Sequence, residues 1–153
     1  MIEISPIKET EITEALELIR SLLIELGDEA KDAELVDKFI QNKERLLAQS
    51  GHYIFIAKFN RELIGVITLS ECFGIYAGGV YGVINEMYVK TPFRNKNTGK
   101  MLIDAAKTLA QKNRWMRLDV TAPIEERWQR TIRFYENHGF HFTGEKLRYR
   151  FNN

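Results

Sequence analysis

One cysteine, three histidines and three prolines leave this chain of 153 residues little material for several kinds of chemistry. Cys72 has no second cysteine to pair with, so no intrachain disulfide can form, and a reducing cytoplasm is the expected location. As a nucleophile Cys72 is also a poor prospect. It sits in the strand-like run Thr68-Leu69-Ser70-Glu71-Cys72-Phe73, which predicts a buried, inert thiol. His52, His138 and His141 are scattered, and no His/Cys pair has ligand spacing within one element, so no metal is expected. No apolar run approaches the roughly 20 residues that span a bilayer, and Met1–Lys8 has no apolar signal core, so no membrane partner is expected. Charge of one sign is missing too. The 22 basic residues nearly balance 21 acidic ones, a formal net charge of +1, which supplies no global field to attract nucleic acid. Two runs, Arg114-Trp115-Met116-Arg117 and Lys146-Leu147-Arg148-Tyr149-Arg150, alternate basic and aromatic or apolar residues. In strands that alternation means one buried and one solvated face, and no nucleic-acid partner is expected.

What is present is a globular balance, with 44% hydrophobic and 28% charged residues and no repeat, linker or low-complexity tract. Residues 1–153 are expected to form a single domain. Ile2, Ile4 and Ile7 suggest a first strand interrupted near Pro6. Ile12, Ala15, Leu16, Ile19, Leu22, Leu23 and Leu26 recur at helical spacing, with Gly27 as a stop. A second amphipathic stretch carries Leu35, Val36, Phe39, Ile40 and Leu47. His52–Phe59 and Leu63–Phe73 read as a hairpin around Asn60-Arg61-Glu62. Gly74–Gly79 interrupts the pattern, and Val80–Val89 is the next strand. A helix starts near Thr98, and a strand carries Met116, Leu118 and Val120. A helix after Pro123 carries Trp128, Ile132 and Tyr135 and is capped by Gly139. Phe140–Thr143 and Leu147–Phe151 are expected to close the chain as two short strands. The order β-α-α-β-β-β-α-β-α-β-β describes an α/β (α+β) domain.

The segment from Met87 to Leu102 runs from a strand through a turn-rich loop into a helix start. A helix N-terminus offers unpaired N–H groups and partial positive charge, which suits a phosphate or pyrophosphate. Asn95, Asn97 and Gly99 are residue types that tolerate unusual backbone angles. Arg94, Lys96 and Lys100 add mobile positive charge. The alternative is an ordinary strand-to-helix loop with a solvated basic face, and local composition does not separate the two. A nucleotide P-loop is excluded, since that motif needs glycine where Arg94 stands and Ser or Thr where Met101 stands.

This stretch resembles the acyl-CoA-binding motif of the GNAT family of N-acetyltransferases, Arg/Gln-x-x-Gly-x-Gly/Ala. Arg94 and Gly99 match its first and last positions, while Asn97 replaces the middle glycine and Asn95 stands where many members have another. A second stretch, Thr131-Ile132-Arg133-Phe134-Tyr135-Glu136-Asn137-His138-Gly139-Phe140, resembles the family's later motif, in which Phe-Tyr is followed three residues on by Gly-Phe. Trp128 and Thr131 occupy positions where the family often has Asn and Ala. The resemblance covers nearly the whole chain and is weakest over the first 50 residues. It implies the acyl-CoA N-acyltransferase-like fold: a mixed, mostly antiparallel sheet of about seven strands flanked by four helices. It also implies acetyl transfer from acetyl-CoA, with no metal, to a primary amine of a small molecule or of a protein, and a possible homodimer. The competing reading is a non-catalytic acyl-CoA sensor of the same fold.

By the same resemblance, backbone amides of Arg94, Asn95, Lys96, Asn97, Thr98, Gly99 and Lys100 hold the pyrophosphate. The main chain of Met87, Tyr88 and Val89 meets the pantetheine arm as an added strand edge would. Tyr135 resembles the family tyrosine that acts as general acid near the sulfur. Its phenol, with a reference pKa of about 10, holds a proton at neutral pH; spacing alone favours an aromatic residue packed beside Phe134 and Phe140, and the Phe-Tyr…Gly-Phe match reverses that preference. Glu86 is expected on one strand face with Ile84 and Tyr88. A carboxylate on so apolar a strand serves either as a general base with a raised pKa or as an anchor for the substrate cation. Acidic residues around the end of the first helix, Glu25, Asp28, Glu29, Asp32 and Glu34, either attract a cationic acceptor or form a solvated helix edge.

Overall fold

The computed structural model describes residues 1–27, 30–122, 126–144 and 146–151, without the side chains of 30–33. They form two compact units, 1–119 and 120–153. The first contains β1 (Ile2–Pro6), α1 (Ile12–Glu25), α2 (Ala30–Gln41), α3 (Lys43–Leu47), β2 (His52–Phe59), β3 (Glu62–Gly74), β4 (Gly79–Val89) and α4 (Thr98–Lys112), and runs into β5 (Leu118–Val120). α5 (Gln129–Asn137) lies in the second.

The strands order β1-β2-β3-β4-β5 in one sheet. β1 through β4 pair antiparallel in sequence. The β2–β3 hairpin turns through Asn60 (φ 48) and Arg61 (φ 70). Two successive left-handed residues make the turn whose twist matches that of paired strands. β1 ends at Pro6 on the outer edge of the sheet, where a missing N–H costs no ladder bond.

Period-2 alternation in the strands sorts the sheet into two faces. Ile54, Ile56 and Val66 face α1 and α2 and pack with Ile12, Ala15, Leu16, Leu18, Ile19 and Val36. The opposite face belongs to α4, whose Leu102, Ile103 and Ala106 are fully buried; a Cβ placed on Gly65 would lie 3.3 Å from Leu102. Each such aliphatic side chain contributes roughly 1.5–3 kcal/mol through burial. Glu11, just before α1, pairs with Lys58 of β2 and accepts the Lys8 N–H at 2.9 Å. The Lys58 bond holds its carboxyl below the ordinary range, against the opposing effect of burial.

The described residues contain five strands and five α-helices rather than about seven strands and four helices. The extra helix arises because the second amphipathic stretch breaks at Asn42. Its side chain accepts the Arg45 N–H at 3.2 Å and starts α3 as an N-cap. The two closing strands are absent among the described residues: no backbone ladder partners 140–144 or 146–151, and a strand without a paired neighbour is not stable. Leu147, Tyr149 and Phe151 are accordingly exposed instead of forming one buried face. Pro123 lies outside the described residues. Cys72 is half-buried rather than buried, near the end of β3 beside the exposed Phe73.

β5 is approached in parallel. Met116 N–H donates to Val80 O at 2.8 Å and Gly82 N–H to Arg117 O at 3.0 Å. Trp115 belongs to the core there: its indole N–H donates to Glu71 at 2.6 Å and its ring meets Tyr53 edge-on. A Cβ on Gly82 would fall 2.2 Å from that ring, so the indole fits only above a glycine. Gly82→Ala is expected to destabilise the protein by about 1–3 kcal/mol through overpacking, read as a lowered denaturation midpoint with a changed tryptophan emission.

Candidate active site

The ladder between β3 and β4 slips by one residue in mid-strand. Ile84 lies opposite Leu69 and Glu86 opposite Thr68, which leaves Asn85 as an extra, bulged residue. Directly opposed residues share a face, and Leu69 and Thr68 point to opposite faces. Ile84 and Glu86 therefore do so too, which corrects the expectation that they share one. Ile84 goes to the α4 side, while Glu86 joins Tyr88, opposite Val66, on the α1/α2 side. Bulges commonly re-aim a side chain in this way.

Thr68 holds the bulge. Its hydroxyl accepts the Glu86 N–H at 3.1 Å and donates to the Glu86 carboxylate. The residue is almost wholly buried. A hydroxyl is the smallest group that can do both at once. Asn85 points back to Ser70, its amide donating at 2.6 Å. Burial pushes the half-buried Glu86 carboxyl above its ordinary pKa, and the Thr68 hydrogen bond partly offsets that rise. Sequence reasoning missed Thr68, although it is the one polar side chain in the run Leu63–Leu69.

Beyond β4 a 3-10 turn, Thr91–Phe93, leads into the loop. Asn95 (φ 63) and Asn97 (φ 68) both adopt the left-handed region. That is the conformation for which asparagine is the nearest substitute for glycine. The helical ladder of α4 begins where Met101 N–H donates to Asn97 O at 3.0 Å, and the Asn97 side chain does not cap it. The N–H groups of Thr98, Gly99 and Lys100 precede that first bond, so the helix start can address an anion. The buried Thr98 fixes the turn by donating its hydroxyl hydrogen to Phe93 O at 3.3 Å.

The loop cations are less available than the sequence suggests. Arg94 donates to Glu25 at 2.8 and 3.1 Å and to Val89 O at 2.8 Å. Lys100 pairs with Asp104 at 2.8 Å and Lys90 with Glu62 at 3.1 Å; Lys96 is exposed. Of the acidic group near the end of α1, Glu25 is thus committed to Arg94 and Glu34 is exposed. Asp28, Glu29 and the Asp32 side chain lie outside the described residues. Met87 and Val89 pair inward with Ile67 and Gly65. β5 is three residues long and is approached at Val80 and Gly82. Among the described residues no strand lies beside Met87–Val89 on the side away from β3.

Tyr135 belongs to the second unit. Gly139 N–H donates to Glu136 O at 3.1 Å and Phe140 N–H to Tyr135 O at 3.1 Å, with Gly139 at φ 92. This is a Schellman ending of α5. The usual apolar contact across it is the edge-on meeting of the Tyr135 and Phe140 rings, 5.4 Å between centroids. The Phe-Tyr…Gly-Phe spacing is therefore a helix stop that also grips the tyrosine ring. Phe134 meets the same ring at 5.3 Å. Burial raises the phenol pKa above its ordinary value, so the proton is held throughout the neutral range.

Among the described residues no three His, Cys, Asp or Glu side chains gather as a metal site, and no helix is long and apolar enough to cross a membrane.

No curated protein matches the chain by sequence. Several solved structures match it in fold. A ribosomal-protein-alanine N-acetyltransferase from Brucella melitensis superposes with a TM-score of 0.75 at 20% identity, covering 99% of this chain and 100% of that one. An aminoglycoside 6'-N-acetyltransferase from Acinetobacter haemolyticus gives 0.77 at 19% identity, covering 99% of each. A transcriptional regulator from Bacillus halodurans gives 0.76 at 16%, covering 99% and 100%. These structures share the fold of this chain. The model of the acetyltransferase (GNAT) domain matches residues 50–142, and the chain belongs to that family.

The Glu86 environment makes a thermodynamic prediction. Its pKa is raised on folding, so the folded state holds a proton that the unfolded state releases first. The resulting loss of stability grows as pH rises from the unfolded carboxyl value through the folded one. Glu86→Gln removes the titration and can still meet the Thr68 hydroxyl. Thermal unfolding at pH 4, 6 and 8 should show the variant gaining on the parent as pH rises; a constant difference would refute the assignment.

Proposed function

We propose that the protein transfers the acetyl group of acetyl-CoA to a primary amine of a small molecule, by direct attack within a ternary complex. The observation that carries this reading is Glu86. It is a half-buried carboxylate, aimed by a bulge to one face of β4, eight residues before a loop whose backbone suits a pyrophosphate. Membership of the acetyltransferase family supports it.

Acetyl-CoA supplies an activated acyl group as a thioester. Loop amides from Arg94 to Lys100 would take its pyrophosphate, since unpaired helix-start N–H groups are anion ligands. The main chain of Met87, Tyr88 and Val89 would run beside the pantetheine arm, and an amide there would polarise the thioester carbonyl. Glu86 accepts a proton from the ammonium, directly or through water, because only the neutral amine attacks. Its raised pKa brings it toward the range useful for that task. As the C–N bond forms and the C–S bond breaks, Tyr135 gives its proton to the departing sulfur; the acylated nitrogen sheds its extra proton to solvent, and solvent returns one to the phenolate. No covalent enzyme intermediate is required, in keeping with the peripheral position of Cys72 at the end of β3.

Tyr135→Phe should lower turnover about ten- to ten-thousand-fold, the scale of lost acid–base help, with CoA affinity in isothermal titration nearly unchanged. Unaltered turnover would remove the general-acid role. Glu86→Gln should flatten the acidic limb of the rate–pH profile; a raised acceptor KM with that limb intact would identify an anchor instead. A non-catalytic acyl-CoA sensor would bind CoA and release no thiol from acetyl-CoA with any member of a library of primary amines.

A further inference from the structure

Arg94 is where this chain matches the first position of the family's cofactor motif, yet its guanidinium is already engaged on three sides. Its Nε donates to the Val89 carbonyl at 2.8 Å, and a terminal nitrogen donates to both Glu25 oxygens at 2.8 and 3.1 Å. The guanidinium carbon lies 5.2 Å from the centre of the Tyr88 ring, and the Tyr88 hydroxyl donates to the same Glu25 carboxylate at 3.3 Å. These contacts join the last residue of α1, the last two residues of β4 and the start of the loop. A planar fork with several fixed donors suits such a junction better than a lysine would.

Two consequences follow from the geometry. Glu25 neutralises Arg94, so the residue brings no net charge to an approaching pyrophosphate. The Nε bond to the Val89 carbonyl, in the stretch proposed to meet the pantetheine arm, and the Glu25 bonds fix the plane of the guanidinium against the end of β4. We propose that Glu25 and Arg94 are positioning residues: a strut that sets the loop and the end of β4 in register for CoA, while phosphate falls to the loop amides. This rests on the acetyltransferase reading above, and it makes Glu25 a determinant of cofactor affinity, although it lies 69 positions from the motif.

The test is isothermal titration of CoA into the parent protein, Glu25→Gln, Arg94→Met, Arg94→Lys and the double variant Glu25→Gln/Arg94→Met. Thermal unfolding would verify that each is folded. A strut predicts that each single change weakens binding by about two- to fivefold, the range of a partly exposed pair. It also predicts that the double variant is no weaker than the worse single one, because both remove one interaction. Arg94→Lys should fall with Arg94→Met, since an ammonium keeps the charge and loses the fork. Tighter binding by Glu25→Gln, or near-parental binding by Arg94→Lys, would instead make Arg94 a phosphate ligand restrained by Glu25 and overturn the strut. If the parent itself binds no CoA, the acetyltransferase reading fails first and the strut fails with it.

Discussion

One extra residue in β4 governs the geometry of the site. Without the bulge at Asn85, strict alternation would carry Glu86 to the face of Ile84, under α4, where Leu102 and Ile103 fill the core. With it, Glu86 turns to the α1/α2 side and shares that side with Tyr88. A bulge leaves a backbone group out of the ladder, and a buried N–H without a partner is costly. Thr68 answers that cost by accepting the Glu86 N–H, and the same hydroxyl donates to the carboxylate. Backbone satisfaction and side-chain aim are thus one interaction. Their combination sets the titration of Glu86: burial drives its pKa up, and the hydroxyl restrains it.

The loop after β4 works by backbone conformation more than by charge. Asn95 and Asn97 take left-handed angles, so glycine is dispensable at both places and the helix start keeps its N–H groups outward. Meanwhile Arg94, Lys100 and Lys90 each have a carboxylate partner. Such partly exposed pairs are worth about 0–1 kcal/mol apiece. Their importance lies in geometry, because they leave oriented amides as the fixed feature of the loop. Tyr135 is treated similarly: the bonds that end α5 place Phe140 against its ring, so a helix stop and a ring orientation come from a single motif.

Residues with local causes were legible beforehand. The turn at Asn60-Arg61, the start of α4 at Thr98 and the Gly139 stop all follow from backbone preferences of one to three neighbouring residues. The apolar periods of α1 and of β2 to β4 stood out because each buries one continuous face. The break at Asn42 was hidden, since an N-cap asparagine inside an amphipathic stretch resembles any polar residue on its outer face. The two closing strands were overcalled from alternation alone, which says nothing about whether a partner edge is available.

The amino-acid sequence by itself determined the order of the elements from β1 to α5 apart from the break at Asn42, the hairpin, the left-handed asparagines of the loop and the family motifs, because each depends on short-range conformational preference. Tertiary structure alone decided which way Glu86 points, that Thr68 holds it, and that Arg94 is bound to Glu25. Those depend on strand register and on contacts between distant segments. A one-residue slip reverses every side chain beyond it, and no local pattern records where the slip occurs.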